Sequence, residues 1–89
     1  MPKFTYPVVF ILNQGTDEYF GFIPDLGLLS VGGKLEEVYA LAEEKIQEYF
    51  ALAIKHDLDY PSASTLEEII AKWAGYKVSL LTANVPDQG

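Results

Sequence analysis

Two hydrophobic periods divide the chain. Over residues 4–12 both alternating sets are apolar: Phe4, Tyr6, Val8, Phe10 and Leu12 on one side, Val9 and Ile11 on the other. Such a strand is central in its sheet or has both faces covered, and its Val, Ile and Phe residues favour extended backbone. The Asn, Gly and Asp of Asn13-Gln14-Gly15-Thr16-Asp17-Glu18 supply turn chemistry. A second strand is predicted over 19–23. Pro24-Asp25-Leu26-Gly27 then forms a turn, in which Pro fixes φ and Gly accepts a positive φ, and a third strand follows over 28–31. Three closely spaced strands with short turns make an antiparallel meander.

Past Gly32-Gly33 the period lengthens. Leu35, Val38, Ala42, Ile46, Tyr49 and Ala53 recur at three- and four-residue intervals, which predicts a helix over 35–55, roughly 30 Å long at 1.5 Å per residue. Glu36 and Glu37 in its first turn and Lys55-His56 in its last suit the helix dipole. Residues 56–61 read as a loop. Ser64-Thr65-Leu66-Glu67 reads as a capping box with Ser64 at the cap. It opens a short helix over 66–74 with Leu66, Ile69, Ile70 and Trp73 on one face and Gly75 ending it. The last strand is predicted over 76–85, and Pro86-Asp87-Gln88-Gly89 reads as a frayed tail. The expected fold is α+β, ordered β-β-β-α-(α)-β. The expected sheet is four-stranded and mixed, a three-strand antiparallel meander plus the final strand, with the helices packed on one face.

Composition narrows the partners. Eighty-nine residues make one small domain, expected to span 1–89. Thirteen acids against six Lys and no Arg give a net charge of −7, which argues against gripping a phosphate backbone and against DNA binding by this chain alone. No cysteine is present, so disulfides, thiol chemistry and cysteine-held metals are excluded. The charge is concentrated: residues 34–59 hold seven acids and three Lys, while residues 1–33 are nearly neutral. The longest aliphatic and aromatic run, 8–12, is far short of the roughly 20 residues of a membrane span. The start of the chain has no small-residue cleavage site, so a cytoplasmic location is expected.

Candidate chemistry is sparse. Gly32-Gly33-Lys34 suggests a phosphate loop, but that motif needs Gly where Leu28 stands and Ser or Thr where Leu35 stands; a strand-to-helix turn is the simpler reading. His56 neighbours Asp57 and Asp59, yet a metal site normally needs several convergent His or Cys ligands. No catalytic, cofactor-binding or metal-ligating residue is assigned, and no enzyme activity is expected. Adjacent carboxylates such as Glu43-Glu44 do not face each other on a helix, whereas Glu37, Glu44 and Glu48 come nearer to sharing a side, as a solvated face or a surface for a basic partner. Tyr19, Phe20 and Phe22 could stack bases, but residues 4–33 hold no Lys or Arg, so core or protein interface is the better reading. So much apolar sheet exceeds what one or two helices can cover, and a homodimer or higher homo-oligomer would cover the remainder.

The ordered set Tyr6-Pro7-Val8-Val9-Phe10, Tyr19-Phe20-Gly21-Phe22, Pro24-Asp25-Leu26 and Gly32 leading to Leu35-Glu36-Glu37 resembles the HicB antitoxin family. The resemblance runs over about residues 4–55 and more loosely over Pro61-Ser62 and the last strand. It marks Pro24, Asp25, Leu26 and Gly27 as the family-motif turn. It implies a partial ribonuclease-H-like fold and a non-catalytic role: neutralising a small basic toxin that cleaves mRNA by covering its active surface. The alternative is a solitary HicB-like relative that binds RNA directly through its aromatic strands. Departures are visible. The second Pro of the family turn is missing and Leu28 stands for its Cys. Lys34 replaces a helix-capping Thr. Residues 66–74 add a helix, and no DNA-binding module is expected after residue 89. The first strand carries no acid, so the metal-dependent hydrolysis of full ribonuclease H enzymes has no ligands there.

Overall fold

The computed structural model describes residues 2–85. In chain order the elements are β1 (Lys3–Asn13), β2 (Glu18–Ile23), β3 (Leu28–Gly32), α1 (Leu35–Lys55), α2 (Leu66–Lys72) and β4 (Lys77–Asn84). They form one four-stranded sheet in the order β3-β2-β1-β4. The doubly apolar first strand is accordingly central. The α+β class and the element order match the sequence reading; the tail at 86–89 lies outside the described residues.

The sheet is antiparallel throughout, not mixed. β1 pairs antiparallel with β2 (Val9↔Phe22, Phe10↔Gly21) and with β4 (Val9↔Val78, Phe10↔Lys77), and β2 pairs antiparallel with β3. Two helical segments separate β3 from β4, so their connection is not the single-helix crossover that returns a chain parallel.

Alternation along the strands sorts the side chains onto two faces. One face belongs to α1. Val38, Ala42, Ile46, Phe50 and Ala53 of α1 are buried, and they meet Tyr6, Val8, Phe10, Ile23, Leu81 and Ala83 from the sheet. Phe50 replaces Tyr49 as the centre of the predicted helical stripe, because four-residue steps from Val38 through Ala42 and Ile46 lead to it. Its ring stacks on Phe4 at 3.7 Å between centroids and on Tyr6 at 5.6 Å, and meets Tyr60 edge-on at 4.8 Å. α1 approaches the meander closely at Gly21, where an added Cβ would stand 2.5 Å from Val38 Cγ1 and 2.8 Å from Ser30 Oγ.

The second helix packs on the opposite face, which corrects the one-face expectation. Trp73, which caps α2, meets Phe22 edge-on at 5.6 Å. Phe22 shares its face with Val9 and Val78, whereas its neighbour Gly21 lies over Val38 of α1. Ile69 of α2 is buried and stands outside the α1 core. Leu66, Ile69 and Trp73 face inward to differing depth, and Ile70 is exposed. The period alone does not name the sheet face that a short helix will choose.

Helix ends differ from the sequence reading in detail. The capping box of α2 starts one residue later than expected: Thr65 Oγ1 accepts from the Glu68 N–H, and Glu68 Oε1 accepts from the Thr65 N–H. α1 has Lys34 at its N-cap with no side-chain bond, and Glu37 reaches back to accept from the Gly33 N–H. At the other end Asp57 takes a left-handed conformation (φ 52°), with bonds from Leu58 N–H to Ala53 C=O and from Asp57 N–H to Ile54 C=O. That is a Schellman turn with Asp in the place usually held by Gly.

Candidate interaction surfaces

The motif turn does structural work. The Ile23 carbonyl accepts from the N–H groups of Leu26 and Gly27, and Gly27 has φ 66°. This frees the Asp25 carboxylate to clasp the segment before α2. It accepts from the Ser64 N–H at 2.8 Å and from the Ser64 hydroxyl at 2.6 Å. Ser64 is therefore bound to Asp25 and leaves the capping role to Thr65. Nearby, the buried Tyr6 hydroxyl donates to the Pro61 carbonyl. Burial, and secondarily the charges of Tyr60, Asp25 and Tyr49, raise the Tyr6 phenol above its ordinary value. The hydrogen bonds made by Thr65 lower the Glu68 carboxyl. The Tyr6 and Asp25 contacts anchor the long loop between the helices to β1 and to the β2–β3 turn, both far away in sequence.

The outer side of α1 is acidic. Glu37, Glu44 and Glu48 are all exposed, and at 100° per residue they fall within a narrow sector opposite the buried stripe. Leu41 and Leu52 flank them and are also exposed. The stripe runs toward a groove of about 220 Å³ lined by Tyr49, Leu52, Ala53, Leu58 and Asp59. The Schellman turn sets Leu58 into the groove wall by reversing the chain after Lys55.

The sheet face across from α1 is only partly roofed. Phe20 and Phe22 lie on it, half-buried, in register with Val31 and Leu29 of β3. Leu29, Val31 and Leu80 on the same face are 50%, 38% and 51% exposed. Tyr19 is placed apart from its two aromatic neighbours: it lies on the α1 face, packed against the core. The structure thus groups Phe20 with Phe22, groups Glu37 with Glu44 and Glu48, and puts the two groups on opposite sides of the sheet.

His56 caps the C-terminus of α1 and is exposed. Gly33 and Lys34 form the turn from β3 into α1. Among the described residues no three or more His, Asp or Glu side chains gather as a metal site, and no helix is long and apolar enough to cross a membrane. The exposed β3 edge and the Asp25–Ser64 clasp went unnoticed in the sequence. The lack of charge in Leu28-Leu29-Ser30-Val31-Gly32 was the available signal for the first; nothing local signals the second.

No protein-family model matches the sequence, and neither does any curated protein. Solved structures do match in shape. The N-terminal domain of the antitoxin HicB from Burkholderia pseudomallei superposes with a TM-score of 0.80 at 22% identity, over 92% of this chain and 100% of that one. The longer antitoxin HicB from the same organism gives 0.79 at 22%, over 97% of this chain and 72% of that one. A chain of a toxin–antitoxin complex from Streptococcus pneumoniae gives 0.77 at 20%, over 98% and 76%. At these identities the likeness is one of fold, and that fold is the HicB-like one.

Proposed function

We propose that this chain is a non-catalytic interaction module of the HicB antitoxin type, which holds a small basic protein against the outer side of α1. One observation carries the reading: on the HicB-like fold, the long helix presents Glu37, Glu44 and Glu48 together on its exposed side. Opposed charge of this kind speeds encounter and fixes orientation. The adjacent groove of Leu52, Ala53 and Leu58 offers apolar contact beside the acids, so a partner surface that mixes Lys or Arg with an apolar anchor fits best. An mRNA-cleaving toxin, as the family resemblance implies, has the required basic surface because its substrate is a polyanion.

The test starts from the adjacent reading frame: a small basic protein encoded there is co-expressed with this chain. The wild-type chain restores growth, and the double variant Glu44→Lys, Glu48→Lys fails to do so while keeping its circular dichroism spectrum. A neighbour that is harmless alone, or toxic and not rescued by the wild type, ends the antitoxin reading. The RNA-binding alternative keeps one supporting observation, the shared open face of Phe20 and Phe22. Titration of labelled single-stranded RNA at low salt, where attraction is least screened, decides it: no binding there removes the alternative.

A further inference from the structure

The two edges of the sheet are unequally protected. Natural edge strands are guarded by charge, Pro, a bulge or a cover, because their free N–H and C=O groups invite another strand. β4 begins with Lys77, and its far end is engaged by Gln47, whose Nε2 donates to the Asn84 carbonyl at 3.0 Å. β3 carries no such guard within its own residues, and the charge beside it is Glu37 of α1, which accepts from the Gly33 N–H just past its end. Its five residues, Leu28-Leu29-Ser30-Val31-Gly32, hold no charge and no Pro, and Leu29 and Val31 are exposed. The strand is also rigidly held. The buried Ser30 hydroxyl lies 3.2 Å from the Gly21 carbonyl and 3.3 Å from the Val38 carbonyl, which fixes β3 to both β2 and α1 before any partner arrives.

From this we infer that β3 is a self-association edge: a second copy of this chain pairs its own β3 antiparallel, centred on Ser30, and extends the sheet to eight strands. Charge selects the occupant. A molecule of net −7 can meet its own copy only through surface without acids. Leu28–Gly32 and the neighbouring Phe20-Gly21-Phe22 provide such surface, whereas α1 repels a copy and attracts a basic protein. Symmetry selects the register. A two-fold axis normal to the sheet keeps each side chain on its own face, so the pairing must centre on a residue and not between two. Centring on Ser30 opposes Leu29 to Val31 of the copy at both ends and uses the whole strand. The four side chains then continue the apolar surface of Phe20 and Phe22 across the junction. Five paired residues make a small interface, of the class below about 1,200 Å², so the dimer is a weak one, with Kd of roughly 10–100 μM.

Sedimentation equilibrium of the full chain tests the inference. The expected result is a monomer–dimer equilibrium that tightens between about 50 mM and 500 mM NaCl, because salt screens like-charge repulsion; binding of a basic partner to α1 weakens over the same range, so the two surfaces are told apart by sign. Val31→Lys, or Leu29→Lys should the first variant misfold, weakens dimerisation about tenfold or more, since each introduced ammonium is then set against an apolar residue of the copy at the junction. Leu80→Lys, on the far side of the same face, leaves it unchanged. The natural absence of cysteine gives a clean check of register. A mixture of Leu29→Cys and Val31→Cys chains forms the disulfide about tenfold faster than either chain alone, because only directly opposed positions bring Cβ atoms into range. A wild-type chain that stays monomeric at about 1 mM, well above the Kd expected of so small an interface, overturns the inference. So does a dimer broken by Leu80→Lys and not by the β3 variants, or equal cross-linking of like and unlike pairs.

Discussion

The two faces of this sheet carry similar side chains and meet different fates. Under α1, Val8, Phe10, Ile23 and Ala83 are closed over by a 21-residue helix. Across the sheet, α2 is seven residues long and contacts mainly β4 and, less, β1. It buries Ile69, meets Phe22 through Trp73, and leaves Leu29, Val31 and Leu80 in water. The contrast teaches that apolar composition determines which strand face can be buried, while the length of the covering helix determines how much of it is. One face is closed into the core, and the other keeps apolar side chains exposed.

The largest blow to that contrast is Phe50→Ala. Its ring touches Phe4, Tyr6, Tyr49 and Tyr60, and its removal leaves a cavity that the rigid sheet cannot fill. Urea unfolding is expected to show a loss of about 3–5 kcal/mol; a loss below about 1 kcal/mol, the ordinary size of a point-mutant effect, would mean that α1 does not dominate the core. Gly21→Ala drives a methyl group into Val38 and the Ser30 hydroxyl, and thermal denaturation is expected to register about 1–3 kcal/mol.

Tyr6→Phe is smaller and dependent on pH. It removes the bond to Pro61, a loss of about 1 kcal/mol at neutral pH. Because burial raises the Tyr6 phenol, the folded state holds its proton more tightly than the unfolded chain. This contribution is whole below the ordinary tyrosine value of 10.0 and is lost as pH rises through the raised one. The gap in stability between wild type and Tyr6→Phe therefore narrows above about pH 10, read by urea titration at several alkaline values. Smallest is Leu80→Thr on the open face, expected within about 0.5 kcal/mol of wild type. A larger cost would show that this face is buried after all.

Much of this was legible along the chain. Residues 35–55 form the helix its period predicts, and the doubly apolar 4–12 segment lies centrally in the sheet, because periodicity records which side of an element meets the core. The acidic stripe was legible for the same reason, since helical spacing is local geometry. The separation of Tyr19 from Phe20 and Phe22 follows from strand alternation once the register is known, yet the residue types alone favour reading the three as a set. The Thr65 cap was missed because Ser64 fits the same signature, and Asp25, 39 residues away, had already engaged it.

Residue type and local spacing settle the elements, their order, the absence of thiol and arginine chemistry, and the placing of negative charge on the long helix. These follow from side-chain type and from spacing within a few residues, where backbone geometry is fixed. Long-range packing settles that β4 returns antiparallel, that α2 takes the opposite face, that Asp25 clasps Ser64, and that β3, with no charge of its own, is left at the edge. Each of those depends on contacts between residues distant in the chain. Their energies differ among competing packings by only a few kcal/mol, so no local pattern encodes which packing wins.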